Sequence, residues 1–542
     1  MGEAFTPGER ALLKPYVSNL DKPVFVLQNL PEVVKGALFS RYSRSDKSLR
    51  RMLLDEFINA PESGFTGIVG AASEDSIVAV KKAEDFYDRV LVGYGDDSVG
   101  ELGGASIACE EVSQLTAKVL EDSRLGISPL EKSTRYIFFN SKPDGKYRYY
   151  RGPELMNSPF AQTYIDTMEL LFGTYSKHVE PMMELLARKN PKPSDVTDRA
   201  YKSTLRAKAA DVLRVFLPAS TLTNVGLFGN GRALEYLMTK MYAHDLPEMP
   251  SVAREMQSEL MKSIPSFVKR ASPEDKYGGE TNRYMKNASQ GLRTEMKPIV
   301  GTDAPRPQEE IMLTDCDEEA EEKVLSALMY SDSTLSLKQL KEKVQGMAIE
   351  KRKSLLDSYL GKRENRRHKA PRAFENAYYT FDILGNYGIY RDLQRHRVLT
   401  QERQDLTVLH GYDTPKEFKE LGMEEEYHEV MRKAAEAYWL AFKQAPKLAQ
   451  YVVPFGYRIR WYMTMNLREV YHMTELRTSR QGHPDYRRIC QKMHKLVKEK
   501  HPLLSEYMRF VDLNDYELER LEAEKRIDKK MDALKTKGTE GM

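Results

Sequence analysis

Apolar positions along the chain follow two different periods. Residues 377–384, AYYTFDIL, are dense in aromatic and β-branched side chains and predict a strand. Directly after it Tyr387, Tyr390 and Leu393 recur at helical spacing, predicting a helix over 386–397. An earlier stretch repeats this order, with a short strand predicted over 104–109 and a helix over 110–122 whose Val112, Leu115 and Val119 share one face. Longer helical patterns cover 160–188, 415–450 and 484–500. The fold class expected is α+β with helices dominant and a small antiparallel or mixed sheet in each of two domains. No run of 18 apolar residues occurs, so no membrane-crossing helix is expected.

The repetition is systematic. Leu217-Pro218 precedes Asn230-Gly231-Arg232, and 236 residues later Val453-Pro454 precedes Asn466-Leu467-Arg468 at the same spacing. Ser123-Arg124-Leu125 aligns with Arg395-His396-Arg397 at an offset of 272, and Glu101 with Glu375 at 274. Collinear matches whose offset drops by 36 in one place describe a tandem duplication with an insertion of about that length in the first copy. Residues 297–310, KPIVGTDAPRPQEE, hold three prolines and read as an extended linker. Copy one is expected over 20–296, copy two over 311–512, and a charged helix or tail over 513–542.

Composition narrows the function classes. The 542 residues are 41% hydrophobic, which supports real cores. Lys plus Arg number 83 against 80 Asp plus Glu, a net charge of +3, so bulk electrostatic binding of nucleic acid is not indicated. The densest basic run, 351–372, reads as a solvated face. Three scattered cysteines, Cys109, Cys316 and Cys490, form no CxxC, which argues against a disulfide framework or cysteine-rich zinc site and suits a reducing cytoplasm. No metal, membrane or nucleic-acid partner is expected.

Arg395-His396-Arg397 ends a predicted helix, where the macrodipole favours cations. Guanidinium groups bind oxyanions in a fork and stack on planar rings, so this trio is a candidate anion or ring site. In copy one the corresponding loop keeps Ser128, Glu131, Ser133, Arg135 and Tyr136. Together these resemble the signature of the flavin-dependent thymidylate synthases, R-H-R-x-x-S-x-N-E-x-S-x-R-Y. The two copies keep opposite halves of it. Copy two has the RHR and Arg477, where copy one has Met241; copy one has Glu131, Ser133, Arg135 and Arg214, where copy two has Arg403, Asp405, Thr407 and Gln450.

That family assembles each active site from two subunits, so the resemblance implies one composite site per pair of copies. It implies reductive methylation of dUMP to dTMP by an FAD-dependent methyltransferase, with methylenetetrahydrofolate as carbon donor and NADPH as reductant. Arg214, Glu131 and Ser133 would then be catalytic. Arg395, Arg477, Arg135, Ser133 and Arg214 would bind dUMP. Arg395, His396, Arg397, Ser98, Glu131, Asn230, Arg232, Asn466, Arg468 and His472 would hold FAD. The family's homotetramer implies a homodimer of this chain. Two other readings stay open: a degenerate flavin- or nucleotide-binding protein, and a flavin enzyme acting on another uridine nucleotide.

Overall fold

The structure is a computed structural model that describes residues 4–43, 45–59, 97–123, 125–301 and 303–539. Arg124 lies outside these residues. The chain divides into two units, one made of Met1–Val112, Thr116–Lys132 and Thr223–Asp303, the other of Ser113–Leu115, Ser133–Leu222 and Ala304–Met542.

In the first unit, strands β1 (Gly104–Ser113), β2 (Ile127–Glu131) and β3 (Leu222–Asn230) form a sheet with β3 in the middle. Helix α1 (Gln114–Glu121) leads from β1 toward β2, α2 (Gly231–Tyr242) follows β3, and α3 (Lys276–Val300) is the longest helix among the described residues. β2 runs antiparallel to β3, with Ile127 opposite Gly229 and Glu131 opposite Val225. Apolar residues of α2 at helical spacing, Leu234, Leu237, Met238 and Met241, are buried. Gly126 turns the chain into β2 with φ +80°; a Cβ there would lie 2.6 Å from that of Ala233. Only glycine adopts this left-handed conformation without strain.

In the second unit a four-stranded antiparallel sheet has the order β4-β5-β7-β6, from β4 (Ile311–Cys316), β5 (Tyr378–Asn386), β6 (Leu399–Arg403) and β7 (Arg458–Asn466). Helices α4 (Tyr387–Leu393), α5 (Leu467–Arg477) and α6 (Pro484–Lys500) accompany it. Leu399 pairs with Met465 and Arg403 with Trp461. This register repeats that of β2 on β3 residue for residue at the offsets 272 and 236.

The duplicated Leu-Pro and Val-Pro steps meet within the second unit. Pro218 and Pro454 form an antiparallel bridge. Ala219 N–H donates to Val453 C=O and Phe455 N–H to Leu217 C=O, both at 2.9 Å. Outside them Ser220 N–H reaches Tyr451 C=O at 3.2 Å and Gly456 N–H reaches Val215 C=O at 3.0 Å. Each bond maps onto its partner when 236 is added or subtracted. These two segments therefore meet isologously about a local two-fold, as matching segments of identical subunits do.

Several element boundaries depart from the sequence expectation. The first strand continues to Ser113, so its helix starts only at Gln114, whose N–H bonds Ala219 C=O. The 160–188 pattern is two helices, Ala161–Lys177 and Val179–Lys189, broken at His178; Pro181 sits in the first turn of the second, where its missing N–H costs nothing. The 415–450 pattern breaks at Gly422, whose φ is +71°, leaving Lys416–Leu421 and Glu424–Gln444. Residues 297–300 of the expected linker belong to α3, with Pro298 inside it. β7 runs directly into α5, with Asn466 between sheet and helix as the cap. The C-terminal helix Leu521–Thr539 is docked: Arg199 of helix Asp198–Leu213 pairs with Glu524 at 3.2 Å and also with Asp528.

Candidate active site

Asn386 caps α4, its side-chain oxygen accepting from Ile389 N–H at 3.0 Å. The helix ends at Leu393, and the next turn presents Arg395 and Arg397 to solvent while His396 is buried. The C-terminal end of α4 thus carries the expected Arg-His-Arg trio, its two cations outward and its histidine turned inward.

His396 is held from both sides. Arg477 Nε, at the end of α5, donates to His396 Nε2 at 2.9 Å. With Nε2 accepting, the neutral ring carries its proton on Nδ1, which lies 2.6 Å from Glu469 Oε1. Burial, reinforced by Arg477 and Lys369, holds the imidazole well below its usual pKa, so it is neutral at pH 7. Burial pushes the Glu469 carboxyl up to about 7, against the pull of His472, Lys369 and Arg477. His472, lowered by burial to about 4, lies 3.0 Å from Lys369 through Nδ1. Donor atoms of His396, Glu469 and His472 lie within 4.8 Å of one another, a spacing a metal could use. Both His396 nitrogens and His472 Nδ1 are already engaged, however, and Lys369, Arg468 and Arg477 supply positive charge around the cluster. The set reads as a proton- and charge-balancing network rather than a cation site.

Arg214 begins the short turn Arg214–Phe216 after helix Asp198–Leu213, and it is 2% exposed. Its Nη1 donates to Asp392 Oδ2 on α4 at 2.9 Å. Its Nη2 is buried with no hydrogen-bond partner. Gly388 makes the room: a Cβ there would lie 3.1 Å from Arg214 Nε and Nη2. Burial alone would raise the Asp392 pKa, but Arg214, Arg135 and Arg395 hold it well below the carboxylate range. Three of the expected site arginines therefore act on one carboxylate, two from copy one and one from copy two.

Arg135 is also tied into this region. Its Nε and Nη2 both reach Asp211 at 2.8 Å, and Nη1 donates to the Tyr486 hydroxyl at 3.1 Å. The Tyr486 ring lies between the copies, its centroid 5.5 Å from the Arg135 guanidinium carbon and 5.8 Å from that of Arg477. Thr134, beside Arg135, accepts from Arg391 of α4 at 3.0 Å. Ser133 accepts from Arg135 N–H at 3.2 Å. The hydroxyl turn of copy one thus packs on the helix that carries the RHR of copy two. Arg135 was expected to offer its fork to nucleotide; in this structure Asp211 occupies it.

The remaining expected residues fall into matched structural pairs. In the first unit Asn230 caps α2, accepting from Ala233 N–H at 2.8 Å, and Arg232 pairs with Glu101 at 2.9 Å. In the second unit Asn466 caps α5, accepting from Glu469 N–H at 2.9 Å, and Arg468 pairs with Glu375 at 2.9 Å. In both copies the N-x-R motif caps a helix and anchors a glutamate. Glu101, Asn230 and Arg232 line a cavity of about 700 Å³ in the first unit, and Arg468, Glu469 and His472 one of about 140 Å³ in the second. Glu131, in the first unit, is buried against Lys118 Nζ at 2.9 Å, which Glu121 also contacts. Ser98 lies on the turn Asp97–Glu101.

Sequence reasoning missed Asp211, Asp392, Glu469 and Tyr486. Asp211 stands three residues before Arg214, and Glu469 three after Asn466, but nothing local marks either as a counter-charge. The basic run 351–372 turns out to be partly internal: Arg363 is buried with Glu475 at 2.7 Å, and Arg352 reaches Glu321 and Glu322 at 3.1 Å.

The family model described as thymidylate synthase complementing protein matches this chain twice, over residues 57–266 and 312–503. A UPF0159 protein of Chlamydia muridarum is 44% identical over 526 residues, covering 96% of this chain and 98% of the relative. One from Chlamydia pneumoniae is 43% identical over 524 residues, covering 97% and 98%. One from Thermoplasma acidophilum is 34% identical over 518 residues, covering 91% and 98%. Among the described residues no helix is long and apolar enough to cross a membrane.

Proposed function

Because the chain belongs to the thymidylate synthase complementing protein family, in tandem duplicate, we propose that it is a flavin-dependent thymidylate synthase. The reaction is reductive methylation of dUMP to dTMP, with methylenetetrahydrofolate giving the carbon and NADPH the electrons. Copy one spans 20–296 and copy two 311–512, and the protein works as a cytoplasmic homodimer.

One observation carries the reading: the buried, unpartnered Nη2 of Arg214. An unsatisfied guanidinium N–H in a buried site is costly unless a ligand completes it. A uracil carbonyl is the right acceptor, and the donor stabilises negative charge as it develops there. Exposed Arg395 and Arg397 fit an anionic ligand at the end of α4 and would hold the FAD diphosphate and the dUMP phosphate, with Arg477. FAD supplies the electron transfer that the side chains cannot. Neutral His396 keeps Arg477 in place through Nε2, and Glu469 takes or gives a proton near pH 7. Asp392 neutralises the cluster between turnovers.

Tritium release from 5-tritiated dUMP, with methylenetetrahydrofolate and NADPH, tests the proposal on the purified yellow protein. Release that Arg214→Lys abolishes is the expected result. Tight FAD without release overturns catalysis and leaves a flavin- or nucleotide-binding protein, a reading favoured by Asp211 already filling the Arg135 fork.

A further inference from the structure

Arg135 sets a physical obstacle before any anionic ligand. Its Nε and Nη2 are both taken by Asp211 at 2.8 Å, and the two residues are only 9% and 5% exposed. A ligand that takes this fork strands the Asp211 carboxylate, and an unpaired buried charge is strongly unfavourable. A second cation beside Asp211 removes that penalty.

Arg520 is such a cation. It is 6% exposed and lies beyond residue 503, where the second family match ends. Its Nη1 donates to Arg135 C=O at 3.4 Å, and its guanidinium carbon sits 3.9 Å from the Tyr136 ring centroid. Its Nε is buried with no hydrogen-bond partner, and Arg520 makes no ion pair among the described residues. The residue before it anchors it: Glu519 pairs at 2.8 Å with Lys208, one helical turn before Asp211 on the same face. Burial alone would raise the Asp211 pKa, but Arg135 above all, with His483 and Arg520, holds it below the carboxylate range. Burial and then Arg135 lower the pKa of Arg520, and Asp211 opposes them. Other candidates nearby are committed or neutral. Lys208 serves Glu519, and His483 is lowered by burial to about 4.

We propose that Arg520 is a stand-by counter-ion for Asp211: when a nucleotide phosphate takes the Arg135 fork, the Asp211 carboxylate passes to Arg520. Two guanidinium groups then face two anionic groups, and neither charge is stranded. Arg520 is thus a positioning residue, acting on the ligand through Asp211 and Arg135. The choice of nucleotide rests on the thymidylate synthase reading, whereas the exchange needs only an anion at Arg135.

A double-mutant cycle tests the exchange without any activity. Arg135→Met and Arg520→Met each leave Asp211 one cation, so each alone should lower Tm modestly. Together they strand the carboxylate, and the shift should exceed the sum of the two. If the double variant does not fold, adding Asp211→Asn should restore folding; a triple variant that stays unfolded overturns the proposal. Calorimetry with dUMP reads the ligand. Arg520→Met should weaken dUMP binding by about tenfold or more. Combined with Asp211→Asn, it should bind as Asp211→Asn alone does. A loss that Asp211→Asn does not relieve makes Arg520 a direct ligand contact and overturns the exchange. Additive Tm shifts overturn it too, and leave the thymidylate synthase reading intact. A parent chain that takes no dUMP, with Tm shifts beyond the sum, overturns that reading and supports the exchange alone.

Discussion

Arg214 of the first copy donates to Asp392 of the second at 2.9 Å, both inside one unit of one chain. The bond uses one arm of the guanidinium and leaves Nη2 buried without a hydrogen-bond partner. Arg214→Lys keeps the charge and loses the fork, so turnover should fall by about 10²–10³, as when one oxyanion donor is removed. Arg214→Met strands Asp392 in a buried site and should cost about 3–5 kcal/mol in urea unfolding.

The Arg135–Asp211 pair is the stronger structural link, with two bonds of 2.8 Å and both partners buried. Asp211→Asn should lower stability by about 3–5 kcal/mol, since the guanidinium loses its counter-charge. It also frees the fork. dUMP affinity, read by calorimetry at a temperature where the variant is folded, should therefore rise if Arg135 takes part in phosphate binding.

Gly388 offers a test that separates geometry from folding. A methyl group there would sit 3.1 Å from Arg214 Nε and Nη2. Alanine improves helix propensity by about 1 kcal/mol over glycine, which offsets the crowding. Gly388→Ala should leave Tm within a few degrees of the parent and lower kcat at least tenfold by displacing Arg214. A parallel loss of Tm and activity would instead mean collapse of the site.

Stability against pH should have two opposed limbs. His472 and His483 are lowered by burial to about 4, and His396 is also held below the usual 6.5. A histidine with a depressed folded pKa contributes stability that is present above about 6.5 and lost as pH falls toward 4. Glu469 behaves oppositely. Its pKa rises from 4.5 to about 7, so its contribution is full below about 4.5 and lost as pH climbs through 7. Thermal melts from pH 4.5 to 8 should show His472→Gln flattening the acid limb and Glu469→Gln the neutral one.

The duplication could be read directly from the chain, because collinear offsets survive where side chains diverge. So could β5 with α4, where aromatic density gives way to helical spacing, and helix 484–500. Helix ends were harder. His178 and Gly422 interrupt apolar patterns whose period carries straight through them. Arg395, His396 and Arg397 were visible as a motif, but their counter-charges were not. Asp392 lies 178 residues from Arg214, Asp211 76 from Arg135, and Glu469 73 from His396. Such partners are chosen by folding across distance, and no local spacing announces them. N-x-R illustrates the converse: a repeat that looked like ligand chemistry also serves as a cap and an ion pair in each copy.

The bridge between Pro218 and Pro454 has an evolutionary corollary. In an assembly of identical chains, any change near the dyad is imposed on both sides at once. Tethering the partners in a single gene releases that constraint, so arginine could persist at 214 while its mirror position drifted to Gln450. The molecule can thereby carry different side chains on its two flanks, and each position has a mirror within the same chain to serve as its built-in control.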